Sequence, residues 1–359
     1  MFGVGCRARE RRRFPGACER LGRMSIERRK RATIIDVAHA AGVSKSTVSR
    51  VLSGKGHYAE ETRRRIEEAV HDVGYTVNPA ARSLRADNTH LIGLLVRNAH
   101  NPVYGRMHRE LQQAAYEREL QLLSMTVVSP EATRRELQAV RDLVGLRVGA
   151  LIVASGTIPS DDLAEIVGEV PTLVLGRPEA HPRLHNVSFD EYRHGMMLAD
   201  QVVSVGYRRA VVLTLDAKYS QGAHVRTAAT VDQLRRHGIE VVDWPVDRNM
   251  LSEAELDEIL ALPGPQVLMC PFDRVALDVM RKLRARGLTV PETLGLTGCD
   301  GLGDGIDLIG LTTVRLPVEE VAQRGIELVA EMLEQVPTRP VRELVCGELM
   351  VGETLQSFR

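Results

Sequence analysis

From Thr33 onward the spacing of apolar residues changes twice along the chain. Between residues 33 and 75 they recur three and four positions apart, the period of amphipathic helices. Ile34, Val37, Ala38 and Ala41 share one helical face, Val48, Val51 and Leu52 a second, and Ile66, Ala69, Val70 and Val73 a third. Thr33 and Asp36 have the spacing of a capping box, with Asp where Glu or Gln is usual. Gly42 suits a tight turn, Ser44 an N-cap and Gly74 the residue after a helix end. The pattern predicts three short helices closing one small core, the first two forming a helix-turn-helix. A separate segment, NPAARSLR at 78–85, sets Asn78 as N-cap and Pro79 at the first helical position. Two turns are far fewer than the ~12 residues at which isolated helices become marginal in water, so this one is expected to fold only on a partner.

Beyond Ala86 short apolar runs replace the helical stripe: LIGLLV at 91–96, LQLLSMTV at 120–127, ALIVA at 150–154, TLVL at 172–175, AVVLTL at 210–215, QVLMC at 266–270 and LGLTG at 294–298. Amphipathic stretches such as 194–206 and 273–287 separate them. This alternation predicts parallel sheets, and the segment is long enough for two doubly wound lobes.

Charge sharpens the division. Residues 1–90 hold 19 Lys and Arg against 10 Asp and Glu, whereas the remainder holds 28 against 37, so a net charge of zero conceals a basic module on an acidic body. That layout suits a protein whose small domain meets a polyanion, most often nucleic acid. Lys45, Ser46, Ser49 and Arg50 lie on the outward face of the second helix. Arg82 and Arg85 can meet phosphates, and Leu84 has no evident core to enter, as expected of a minor-groove wedge. Residues 1–30, with Arg7, Arg9 and Arg11 to Arg13, read as a disordered basic extension without the apolar centre of a signal peptide, and Met24 as the native start.

Other classes find no support. No apolar run approaches the ~18 residues of a membrane span. Cys6, Cys18, Cys270, Cys299 and Cys346 are odd in number, far apart and without a CxxC pair, which excludes a disulfide framework or zinc site and fits a reducing cytoplasm. GLGDG at 301–305 lacks the glycine that completes GxGxxG, and no GxxxxGK[ST], GxSxG or HExxH is present. His181, His185 and His194 read as ordinary surface histidines of a loop. No cofactor, no metal and no catalysis are expected.

The motif DVAHAAGVSKSTVSRVLSG at 36–54, followed by NPAARSLR, resembles the lactose-repressor (LacI/GalR) family of bacterial transcription regulators, and the resemblance runs from about Thr33 to Thr354. It implies an all-α helix-turn-helix DNA-binding domain at 31–76 and a hinge helix and linker at 77–88. At 89–359 it implies an α/β periplasmic-binding-protein-like core of two doubly wound lobes, the first taking 90–189 and 316–340, the second 190–315 and the tail. The implied assembly is a homodimer, not a tetramer, because no leucine heptad follows Thr354. Its recognition helices would enter two major grooves of a near-palindromic double-stranded operator, and paired hinge helices would kink the centre. Lys45, Ser46 and Arg50 would read base edges, Thr33, Ser44, Thr47, Ser49, His57 and Asn78 would lie nearer the phosphates, and Leu84 would intercalate.

In the cleft between lobes the resemblance places an effector against Tyr104, Arg226, Phe272 and Asp300. Tyr104 would supply an aromatic wall, Arg226 a donor to hydroxyls or carboxylates, and Asp300 an acceptor for sugar hydroxyls. Trp244 falls near a segment that lines the pocket in relatives. The chain also departs from the pattern. Ala59 replaces a capping Ser or Thr, a loss of about 1 kcal/mol. Gly176 precedes Arg177 where many sugar-binding relatives have Asp, Phe272 precedes Asp273 where they have Asn, and Ala229 and Thr230 replace Gly-Phe. Each missing hydroxyl partner costs ~1–3 kcal/mol, which argues against an ordinary hexose. A sugar or sugar derivative is the class implied; the departures also admit an apolar, anionic or phosphorylated effector, or none. Two alternatives stay open: a regulator without a small-molecule effector, and a binding protein or enzyme of the same body fold.

Overall fold

The N-terminal helices α1 (Ile34–Ala41), α2 (Lys45–Leu52) and α3 (Glu60–Val73) follow the apolar stripes of the sequence. The computed structural model describes residues 32–52, 57–75, 90–98, 100–128, 132–246, 250–264, 266–303 and 305–358. They belong to two units, one ending at Asn78 and one beginning at Pro79. In the first, Val37, Ala38, Ala41, Val48, Val51, Ile66 and Ala69 are buried together. The capping box forms with aspartate: the Thr33 N–H donates to Asp36 Oδ2 at 2.6 Å, and the Asp36 N–H to Thr33 Oγ1 at 3.4 Å. Gly42 adopts φ +61°, the left-handed conformation a side chain would resist, and turns the chain from α1 toward α2. Ala59 caps α3 without a side-chain hydrogen bond.

The second unit contains two parallel sheets. The first runs β11-β5-β4-β3-β1-β2, with β1 (Leu91–Arg97), β2 (Gln121–Val127), β3 (Ala150–Ala154), β4 (Thr172–Leu175), β5 (His185–Phe189) and β11 (Arg342–Val345). Both faces of its centre are covered. Ile92, Leu94 and Val96 pack toward α4 (Pro102–Glu117) and α11 (Val318–Glu334). Leu95, Leu151 and Val153 pack toward α5 (Ala132–Gly145) and α6 (Ser160–Val167). The second sheet runs β7-β6-β8-β9, with β6 (Arg209–Thr214), β7 (Glu240–Pro245), β8 (Val267–Met269) and β9 (Gly295–Thr297). Helices α7 (Glu191–Ser204) and α8 (Gln221–Arg236) cover one face, and α9 (Glu253–Leu260) and α10 (Asp273–Ala285) the other.

The C-terminal segment differs from expectation. The first lobe does not end at 340: β11 adds in parallel along the edge of β5 that β4 does not cover, as the Asn186 N–H to Val341 carbonyl bond of 2.8 Å shows. The chain then crosses lobes again. Strand β12 (Glu348–Met350) pairs antiparallel with β10 (Thr313–Arg315), and Leu296 of β9 donates its N–H to the Thr354 carbonyl at 2.9 Å. Among the described residues no helix is long and apolar enough to cross a membrane.

Candidate functional sites

On α2 the apolar face is spent on the core, leaving Lys45, Ser46 and Arg50 exposed and Thr47 and Ser49 half-buried. Ser44 is a working cap: its Oγ accepts the Thr47 N–H at 3.1 Å and lies 2.7 Å from Ser46 Oγ and 2.8 Å from Thr47 Oγ1. Thr33 and His57 are exposed, and the Thr33 hydroxyl is bonded to Asp36. The arginines of α3 are a different matter. Arg63 pairs with Glu67 at 2.8 Å and Arg64 with Glu61 at 2.9 Å, so part of the module's basic excess is neutralised on its own helix. Arg65, which sequence reasoning overlooked, donates to the Ala41 carbonyl and ties α3 to the end of α1. Asn78, Arg82, Leu84 and Arg85 lie outside the described residues.

In the second unit a cleft opens at the C-terminal ends of both sheets, where ligands of open α/β sheets bind. It holds about 600 Å³ of empty space, its open mouth included. The first lobe contributes Tyr104, Met107, Ser155, Gly156, Leu175, Arg177 and Phe189; the second contributes Ser220, Gly222, Arg226, Phe272 and Asp300. Tyr104, Arg226, Phe272 and Asp300 are thus brought to one cavity. Trp244 is not: it sits on edge strand β7 and packs on the second lobe's core, because its indole supplies an apolar cover the half-exposed strand needs.

The electrostatics were not foreseen. Arg226 is 3% exposed, and its Nη1 donates to Glu191 Oε2 while Nη2 donates to the Pro271 carbonyl at 2.7 Å. Burial opposes the charges of both partners, yet their mutual attraction prevails: Glu191 is held below the usual carboxylate range and Arg226 above its ordinary value. Glu191 begins α7, where an acid is favoured by the helix dipole, and a Cβ at Gly222 would come within 2.6 Å of its Oε1. His194, one turn on and fully buried, accepts the Gly347 N–H on Nε2 at 2.8 Å and sets its Nδ1 3.5 Å from Glu191 Oε2. Arg177 is likewise committed, to Glu179 at 3.0 Å, the Ile158 carbonyl at 3.0 Å and Gln221 of α8.

Asp300 is different. It is 9% exposed, sits at φ +147°, and among the described residues no donor reaches its carboxylate. Burial, then the neighbouring Asp273 carboxyl, push it well above the ordinary range. Asp273 is satisfied instead, by the Gly301 N–H at 2.7 Å and the Thr313 hydroxyl at 2.6 Å. Phe272 lies between the guanidinium carbons of Arg226, 5.9 Å from its ring centre, and Arg274, 5.0 Å away. The histidines also need correction: His185 opens β5 and is 4% exposed, and His194 is wholly enclosed, because each accepts a backbone N–H that closes the β11 region. Among the described residues no cluster is arranged to hold a metal ion.

Residues 33–78 match the family model of the bacterial regulatory proteins of the lacI family, and residues 199–355 that of the periplasmic binding protein-like domain. The chain is 30% identical over 312 residues to the HTH-type transcriptional regulator AscG of Escherichia coli (strain K12), an alignment covering 84% of this chain and 92% of that one. Two solved structures share the fold. The lac repressor dimer bound to operator and the anti-inducer ONPF gives a TM-score of 0.74 at 21% identity, covering 91% of this chain and 100% of that one. The complex of the transcriptional regulator CelR with cellobiose gives 0.63 at 24% identity, covering 90% and 100%.

Proposed function

This chain belongs to the lacI family of bacterial regulatory proteins and is a DNA-binding transcriptional regulator; on that footing we propose that it works as a dimeric repressor whose hold on a near-palindromic operator depends on a small molecule in the inter-lobe cleft. One observation carries the DNA half of this reading. Helix α2 spends Val48 and Val51 on its core and turns Lys45, Ser46 and Arg50 outward, the chemistry that reads base edges in a major groove. Thr33, Ser44, Thr47, Ser49 and His57 flank it as phosphate neighbours, with Asn78, Arg82, Leu84 and Arg85 completing the contact. The cleft half is supported by Asp300, a buried carboxyl group without a donor among the described residues. A coupling of ~1–3 kcal/mol between cleft and operator would make a working switch.

The test is selection of bound duplexes from a random pool, followed by anisotropy titration of the winner. Two inverted half-sites and a two-to-one protein to duplex ratio support the reading; binding without sequence preference overturns it. One observation favours the rival regulator without an effector: both guanidinia lining the cleft are already paired internally. Calorimetry with a metabolite panel separates the two.

A further inference from the structure

Two cationic side chains line the cleft, and each arrives with its own buried carboxylate. Arg177 has Glu179, and Arg226 has Glu191, whose place Gly222 keeps open by lacking a side chain. On the second lobe's wall the single buried guanidinium of Arg226 is bonded to Glu191, with Asp273 and Asp300 as further acidic neighbours. Arg274, the other cation of that wall, is exposed on the outer side of Phe272. An acid entering here meets no uncompensated buried positive charge, and in a partly apolar cleft it would face a desolvation cost without a counter-charge to offset it. What the cleft leaves unmet is an acceptor. The Asp300 carboxyl group, nine-tenths buried, has no donor among the described residues, and Phe272 and Tyr104 line the same cleft.

We propose that Glu191 determines the charge specificity of this cleft: as an internal counter-ion to Arg226 it closes the site to anionic ligands and reserves it for a ligand that brings hydrogen-bond donors, hydroxyl or ammonium, and carries no acid group. The inference rests on the effector reading above. It reverses what the isolated presence of Arg226 suggests, because a guanidinium recognises a carboxylate or phosphate only while its charge is unspent. Positioning is part of the device. The ring of His194, held on Nε2 by the Gly347 N–H, sets its Nδ1 3.5 Å from Glu191 Oε2, so the counter-ion is bordered by an anchored side chain on its own helix.

The experiment uses the full chain, at matched ionic strength, with melting temperature and calorimetry as readouts. Three probes of related frame, D-glucose, D-glucosamine and D-gluconate, and inorganic phosphate as a fourth are offered to the parent and to Glu191→Gln. A wider panel of neutral, amine-bearing and acidic metabolites of similar size is run on the parent. The parent is expected to respond within the neutral or amine-bearing sets and not to gluconate or phosphate. Glu191→Gln, which keeps the shape and removes the charge, is expected to bind gluconate or phosphate about tenfold to a hundredfold more tightly than the parent, the worth of one hydrogen bond to a charged group. Asp300→Asn should weaken any neutral or amine-bearing ligand the parent accepts. If the parent binds an acid and Arg226→Ala removes that binding, the charge assignment is wrong while the effector reading stands. If no member of any set binds either protein, both fall. Should Glu191→Gln fail to fold, the parent's preference among the three sets decides alone.

Discussion

Helix α3 starts at a position where the chain forgoes a hydrogen bond it could make. Ala59 holds φ −68° and ψ 141°, almost the backbone of Ser252 at the start of α9, with φ −71° and ψ 164°. There the Ser252 Oγ accepts the Glu255 N–H at 3.2 Å. Ala59 offers no such side-chain acceptor to Thr62, whose N–H is held only by the turn bond to the Ala59 carbonyl at 2.9 Å, so a hydroxyl here would add a second acceptor. Replacing Ala59 with Ser needs no backbone change and touches no core residue, because position 59 is exposed. The gain is that of an N-cap hydroxyl, about 1 kcal/mol with a range of roughly 0.5–2. It should not reach the upper end, since Glu60 and Glu61 already favour the helix dipole and Thr62 cannot complete a capping box. A stabilisation of about 1 kcal/mol slows cooperative opening about fivefold. Hydrogen exchange on the full chain reads this directly: amides in 60–73 of Ala59→Ser should exchange about fivefold more slowly, while peptides from the two lobes stay unchanged. Equal exchange in α3 for parent and variant would refute the reasoning, because it would mean that the Ala59 carbonyl alone already satisfies the Thr62 donor.

How much of this was legible in the chain depended on what each segment buries. Strands β1, β3, β4 and β6 read as unbroken apolar runs because parallel strands between two helical layers are buried on both faces. Strand β5, HNVSF, is buried just as deeply, but it carries His185 and Asn186, whose cost is met by partners outside the strand, and Ser188, whose hydroxyl has no partner among the described residues. The Asn186 amide donates to the carbonyls of Val174 and Arg177 at 3.0 and 2.8 Å, and no local periodicity announces that. Edge strands β7 and β11 escaped notice for the opposite reason: half-exposed and charged, EVVDWP and RELV resemble loops. In the cleft, Tyr104, Arg226, Phe272 and Asp300 were found through family resemblance, and the structure brings them together. Glu191 was missed. In the text FDEYRHG it is an ordinary first-turn acid, and only folding sets it against a guanidinium 35 residues away. That omission altered the chemistry expected of the site, since Arg226 alone reads as an anion receptor and Arg226 with Glu191 does not.

Three further outcomes are expected. On the selected operator Arg50→Ala should cost ~1–3 kcal/mol and blur the base preference at its position, whereas loss of a phosphate contact would weaken all sequences alike; an unaltered preference in anisotropy competition would remove Arg50 from base reading. Leu111, fully buried on α4 beneath β1, should cost ~2–5 kcal/mol when cut to Ala in urea unfolding of the body, and a smaller loss would show that the site collapses around the change. The last concerns Asp300, whose carboxyl is pushed well above its ordinary value by burial and by Asp273, against the pull of Arg226 and Arg274. A raised carboxylate pKa means that the folded state holds the proton more tightly than the unfolded one, so the residue costs no stability below the unfolded value near pH 4 and an increasing amount as pH rises toward the folded value. Asp300→Asn cannot ionise; its melting temperature should therefore match the parent's below about pH 4 and exceed it increasingly toward neutrality. A difference that stays constant across that range would mean that Asp300 is ionised at no cost in the empty cleft, and the acceptor on which ligand recognition is argued to depend would then already be satisfied.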